Sequence, residues 1–259
     1  MLAPQRIGQY LATDSNGFVV PDVAWSNIQE PWKSVVDFVA SELSSLVSIQ
    51  SVYVRGSVPR GLAIPDVSDI DFLYISDETH ENLEESLAKE IKHRFPFVRD
   101  LELSRVSHKN LAEVYAPQTR PYFQMLLKTQ SLLIAGEDLV KDLRPFRPDK
   151  EMVSHVFHLE EEFAELPKWL EEDRVSGKET KTRKWISRRI VRAGLEVTLT
   201  RTNRFTRDLA LCLEQFQSQY PDHATAMSHV LLNALNGHED PLNYEPLVRL
   251  LVKESSHLT

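Results

Sequence analysis

The sequence predicts an α/β (α+β) domain built on a small mixed β-sheet, followed by a C-terminal α-helical bundle. Three observations carry that expectation. Helical and strand periodicities alternate through the first half. Two prolines in Arg144-Pro145-Phe146-Arg147-Pro148-Asp149 break any continuing element. Beyond them the apolar spacing is mainly helical. The division falls between 1–148 and 149–259.

The first helix is expected after Pro31, placed like a proline in a first turn, with Val35, Val36, Val39, Leu43, Leu46 and Val47 at helical spacing. Ser51 to Arg55 is a β-branched and aromatic run that reads as a strand. A second strand is Asp69 to Ile75. Leu83, Leu87 and Ile91, four apart, predict the next helix. From Val98 to Val106, Leu101 and Leu103 alternate with Asp100, Glu102 and Ser104, the pattern of a half-buried strand. Pro121 to about Gln130 reads as a helix, and Ser131 to Ala135 as a short strand before Gly136. In the second half, Ile186, Ile190, Ala193 and Val197 mark one helix. Leu209 to Phe216 and Ala224 to Leu235 mark two more.

Composition narrows the function classes. The 259 residues are 42% apolar and 26% charged, ordinary globular usage. No apolar run approaches the ~20 residues a membrane span needs, so no membrane partner is expected. The first residues lack the basic start and apolar block of a secretory signal. Cys212 is the one cysteine, which rules out an internal disulfide, and a cytoplasmic location is expected. A net charge of −8 argues against a long nucleic-acid backbone as the main partner. Eight glycines, with no Walker or Rossmann motif, argue against a glycine-rich nucleotide loop of those kinds.

The chemistry concentrates in residues 54–75. A strand runs into Gly56-Ser57, where glycine permits a tight turn and close approach to a ligand. Ser57 offers a hydroxyl and a backbone N–H to a phosphate oxygen. One or two helical turns are expected next, their N-terminus favouring an anion. Asp69 and Asp71 then point to one face of a strand while Ile70 and Phe72 point to the other. Paired carboxylates repel, and a divalent cation relieves the repulsion. Mg²⁺ takes a few carboxylates plus phosphate oxygens, so the segment describes a metal–nucleotide site. Asp100 or Glu102, on the neighbouring strand, supplies a third carboxylate for the metal or for the proton of an attacking hydroxyl.

Gly56-Ser57 followed by Ser68-Asp69-Ile70-Asp71 resembles the signature of the DNA polymerase β-like nucleotidyltransferase superfamily. Within it, the chain resembles the aminoglycoside adenylyltransferases that modify streptomycin and spectinomycin. Arg60-Gly61 falls where that family often has a second glycine, and Leu101-Glu102-Leu103 is similar to its strand bearing the catalytic base. Residues 132–139 are similar to the segment closing its first domain, and 202–209 to a stretch of its helical domain where those enzymes carry lysines and this chain arginines. The resemblance implies a nucleotidyltransferase domain and a helical domain that closes on substrate. It implies Asp69 and Asp71 as Mg²⁺ ligands, with Gly56, Ser57, Arg60 and Ser68 around the ATP phosphates. Glu102 would be the base, and Arg204 and Arg207 the triphosphate contacts. The implied reaction transfers AMP from MgATP to a hydroxyl of a small molecule such as an aminoglycoside. The alternatives are transfer to tRNA or protein, as in toxin–antitoxin nucleotidyltransferases, and a non-catalytic nucleotide-sensing module.

Charge is unevenly spread in the second half. Residues 158–173 hold seven acids and one lysine; residues 174–207 hold eleven bases and two acids. Adjacent blocks of opposite sign pair as solvated helix faces, which accounts for Arg188, Arg189 and Arg192. The acidic block could also face a polycationic acceptor. His155 and His158, Trp169, Trp185 and Cys212 are read as structural.

Overall fold

The computed structural model describes residues 8–112 and 122–258. They divide into two compact units, one spanning 12–146 and one made of 8–11 with 147–258. Pro121, part of one expected helix, lies outside the described residues.

The first unit holds strands β1 (Ser51–Arg55), β2 (Ile70–Ile75), β3 (Leu101–Val106) and β4 (Ser131–Gly136) in one sheet of order β3-β2-β1-β4. Its helices are α1 (Trp32–Ser44), α2 (Leu83–Arg94), α3 (His108–Ala112) and α4 (Tyr122–Gln130). β1 runs antiparallel to both β2 and β4, while β2 and β3 are parallel. A parallel pair needs a long crossover, which α2 supplies.

Alternation along each strand fills two cores. On one face Val52, Val54, Ile70, Phe72, Tyr74, Leu101 and Leu103 pack with Val35, Val36, Val39 and Leu43 of α1 and with Leu87 and Ile91 of α2. On the other, Tyr53, Leu73, Ile75 and Val106 meet Leu126 and Leu127 of α4. Each fully buried aliphatic side chain contributes about 1.5–3 kcal/mol. α1 ends at Ser44, short of the expected Val47, which lies beyond it and is exposed. β3 begins at Leu101 rather than Val98, because residues 95–98 turn: Val98 N–H donates to the Phe95 carbonyl and the Phe97 carbonyl accepts from Asp66 N–H.

The second unit is built of helices α5 (His155–Ser176), α6 (Glu179–Glu196), the single turn α7 (Leu199–Thr202), α8 (Leu209–Gln219), α9 (Ala224–Asn236) and α10 (Glu245–Ser255). α6 packs against α5, α8 and α9, and α10 lies on α5. At Gly194 the helices pass so close that a Cβ would stand 2.6 Å from Met227 Cε. Gly177 and Gly237, at φ +72° and +71°, end α5 and α9 in the left-handed conformation. Residues 8–11 strap onto this unit. Gly8 N–H donates to Asp208 Oδ2 (2.8 Å), Leu11 N–H to the Phe205 carbonyl (2.8 Å), and the Tyr10 hydroxyl to the Leu211 carbonyl (3.0 Å).

Glu196, buried at the end of α6, caps the start of α5. It accepts the His155 and Val156 backbone N–H groups at 3.0 and 2.9 Å and pairs with His155 Nδ1 at 2.7 Å. Burial pushes the His155 imidazole down to about 4 against the pull of Glu196. For Glu196 burial pushes upward, but His155 and the two N–H donors hold the carboxyl below its ordinary range. The pair is therefore a carboxylate and a neutral imidazole, with the Nδ1 proton assigned toward Glu196. Cys212 is buried, its thiol pushed by burial to about 12. Among the described residues, no helix is long and apolar enough to cross a membrane.

Candidate active site

β1 ends at Arg55, and Gly56 follows at φ +79°. That conformation favours glycine, and so does the space: a Cβ built on Gly56 would collide with Asp71 Oδ2. The expected helical turns after Ser57 do not form. Residues 56–61 are a hydrogen-bonded turn instead, with Leu62 N–H donating to the Ser57 carbonyl (2.9 Å) and Gly61 N–H to that of Val58 (3.0 Å). Prolines at 59 and 65 and Gly61 at φ +71° leave too little room for a helix. Any anion grip here belongs to the turn and to Ser57, whose hydroxyl has no partner among the described residues.

The loop returns through Ser68, whose hydroxyl oxygen accepts Ile64 N–H (2.9 Å). Asp69 sits one residue ahead of β2, and Asp71 within it. Asp71 is the register partner of Arg55 on β1 and of Glu102 on β3. The three therefore line one row on one face of the sheet, the face of α4 rather than of α1 and α2. Asp100 falls ahead of β3, where its Oδ1 accepts the Leu101 N–H (3.0 Å), so it does not join the row.

Each carboxylate has an arginine that sequence reasoning did not assign to the site. Arg55 Nη2 pairs with Glu102, and Arg55 Nη1 stands 4.0 Å from Asp71 Oδ2. Arg99 Nη2 pairs with Asp69 Oδ2 at 2.7 Å. A row of alternating signs at the ends of adjacent strands was the available signal, readable only once the register is known. Arg60 pairs with Asp22, with Nε 2.7 Å from Oδ2, and one of its guanidinium nitrogens, Nη2, is buried without a hydrogen-bond partner.

Arg204 and Arg207 belong to the helical unit, in the loop between α7 and α8. The Arg204 guanidinium stacks 3.8 Å over the Tyr10 ring. Among the described residues neither arginine makes an ion pair. Arg189, by contrast, pairs with Glu162, and Arg174 with Glu171 at 2.7 Å, as the opposed charge blocks predict. Trp169 and Trp185 meet edge to face at 5.7 Å, Trp185 remaining partly exposed.

Residues 36–105, from α1 through the row to β3, match the nucleotidyltransferase domain family. The chain carries a nucleotidyltransferase domain. The match spans Gly56, Ser57, Ser68, Asp69, Asp71 and Glu102 together. No curated protein sequence matches the chain significantly. The fold of the chain is similar to that of spectinomycin adenyltransferase AAD(9) from Enterococcus faecialis, solved with ATP and spectinomycin. The TM-score is 0.52 at 15% identity, over 86% of this chain and 99% of that one. That likeness covers a sheet domain and a helical region alike.

Proposed function

We propose that the enzyme transfers AMP from MgATP to a hydroxyl of a small molecule such as an aminoglycoside, in the cytoplasm. The observation that carries the reading is the approach of the Gly56 backbone to Asp71: only glycine leaves that carboxylate its place beside the turn. The fold shared with a protein solved with ATP and spectinomycin supports the choice of nucleotide and acceptor class.

The residues present fit a hard divalent cation. Asp69 and Asp71 are both partly exposed, beside a serine-bearing turn. Among the described residues no group of three His, Cys, Asp or Glu forms a metal cage, so the protein offers part of a ligand shell, to be completed by phosphate oxygens and water. Mg²⁺ held there would offset phosphate charge and polarise the α-phosphate.

Glu102 is assigned the acceptor's proton. The acceptor oxygen forms its bond to the α-phosphorus as the bond from that phosphorus to the α–β bridging oxygen breaks. Pyrophosphate leaves, and the hydroxyl proton passes to the Glu102 carboxylate. Ser57 and Ser68 are assigned to the phosphates, and Arg204 and Arg207 to the triphosphate, where cations stabilise charge on the leaving group. On this reading 1–148 is the transfer domain and 149–259 the helical closing domain.

The test is transfer of label from α-³²P-ATP to an aminoglycoside panel, to bulk tRNA and to lysate protein. Label on an aminoglycoside, lost with Asp69→Asn or Asp71→Asn, is the expected result. Label on tRNA or protein alone would move the acceptor to a macromolecule, and label on none would overturn the reading.

A further inference from the structure

Arg55 does more than close a strand. β2 lies between β1 and β3, so the Arg55 guanidinium must pass over Asp71 to reach Glu102. Its side chain is only 12% exposed, and that of Asp71 17%, while Glu102 is 56% exposed. A guanidinium is always charged, and its planar fork can serve two carboxylates at once. Here it serves the acid assigned to the cation and the acid assigned to the proton.

We propose that Arg55 is the resident counter-ion of the cation site, a positioning residue that neutralises Asp71 and Glu102 before a divalent cation enters and must yield Asp71 when it does. The proposal rests on the nucleotidyl-transfer reading. Its physics is local. A dication bound to Asp71 would sit within a few ångströms of the guanidinium, and like charges at that range in a partly desolvated site repel strongly. Arg55 therefore weakens the binding of a bare cation. At the same time it fixes the exposed, flexible Glu102 carboxylate in one place, which favours turnover. The two effects have opposite signs. A merely structural arginine would lower both when removed.

Arg99 provides the contrast. It pairs with Asp69, but both side chains are more exposed, 46% and 37%, so water screens the pair and its removal should matter less.

The experiment titrates Mn²⁺ alone into the full chain and reads free Mn²⁺ by electron paramagnetic resonance. Arg55→Gln should bind Mn²⁺ about tenfold more tightly than wild type, whereas Arg99→Gln should change affinity by less than about threefold. In steady-state transfer with Mg²⁺ saturating, Arg55→Gln should lower kcat by about tenfold with KM for ATP little changed. Arg55→Met, which keeps the apolar stem, repeats the test if Arg55→Gln does not fold. Unchanged or weaker Mn²⁺ binding in the folded variants overturns the counter-ion role. Asp71→Asn separates the two readings: Mn²⁺ binding that survives it at wild-type strength places the fault with the metal assignment, not with Arg55.

Discussion

Gly56 and Asp71 adjoin so closely that no methyl group fits between the backbone of one and the carboxylate of the other. Gly56→Ala should therefore cost about 1–2 kcal/mol from its left-handed backbone alone. It should also displace Asp71, lowering transfer by about 10²-fold, the scale of an ångström-sized misplacement. Gly61→Ala shares the strained φ but meets only Asn27, whose carbonyl oxygen is nearest at 3.3 Å and outside the carboxylate row. It should lose comparable stability and keep most activity. Thermal melting and a transfer assay on both variants check the contrast.

Glu102 stands in the Arg55–Asp71–Glu102 row and Asp100 does not. Glu102→Gln should retain ATP binding and lower turnover by about 10²-fold or more. Asp100→Asn should be the milder change. A turnover assay that ranks them the other way would move the base to Asp100.

Neutralising the acids should not stabilise the protein. The sequence alone suggests that Asp69→Asn or Asp71→Asn would relieve a repulsion. Arg99 and Arg55 already offset it. Asp71→Asn should leave melting within a few degrees of wild type or slightly below it while abolishing transfer, as measured by calorimetry and labelled-nucleotide assay.

Arg204 rests on Tyr10 and has no ion-pair partner among the described residues. If its donors serve the triphosphate, Arg204→Ala should weaken ATP binding more than AMP binding, because AMP lacks the β- and γ-phosphates. Tyr10→Leu removes the ring beneath the guanidinium and should shift the same ratio by less. Calorimetric titration of both nucleotides with Mg²⁺ present gives the comparison; equal losses would take Arg204 off the phosphates.

Stability should fall with acid through the His155–Glu196 pair. The unfolded chain takes up a proton on His155 below its ordinary pKa near 6.5, whereas the folded chain resists until about 4. Between those values unfolding binds a proton, so stability is lost as pH drops, by about 3 kcal/mol at most. The depressed Glu196 carboxyl extends the loss below its ordinary range. Urea unfolding from pH 7.5 to 4.5 should show the slope. His155→Asn, whose amide can donate to Glu196, should flatten it.

What the sequence disclosed was what local periodicity encodes. Leu83, Leu87 and Ile91 placed α2, and the alternation of Leu101 and Leu103 placed β3. Gly56-Ser57 and the two aspartates stood out because their spacing needs no knowledge of the fold. Partners set by tertiary contact did not show. Arg55 meets Glu102 only through the register of three strands, Arg60 meets Asp22 across 38 residues, and Glu196 caps a helix that begins 41 residues earlier. The opposed charge blocks were legible as a pattern, but that Arg189 would choose Glu162 among seven acids was not.

The strap formed by residues 8–11 bears on how this chain can be divided. A cut at the Arg147 boundary leaves the sheet unit whole but splits the helical one: the longer leading fragment carries away the donors to Asp208 and Phe205. The trailing fragment, expressed alone, would leave those acceptors and the Arg204 loop without Tyr10. Co-expressed, the pieces have a built-in reason to find each other, as in a split reporter in which one piece supplies the segment that the other's fold lacks. Grafting the helical unit onto another scaffold would accordingly require two insertions, a short leading peptide and the long C-terminal run.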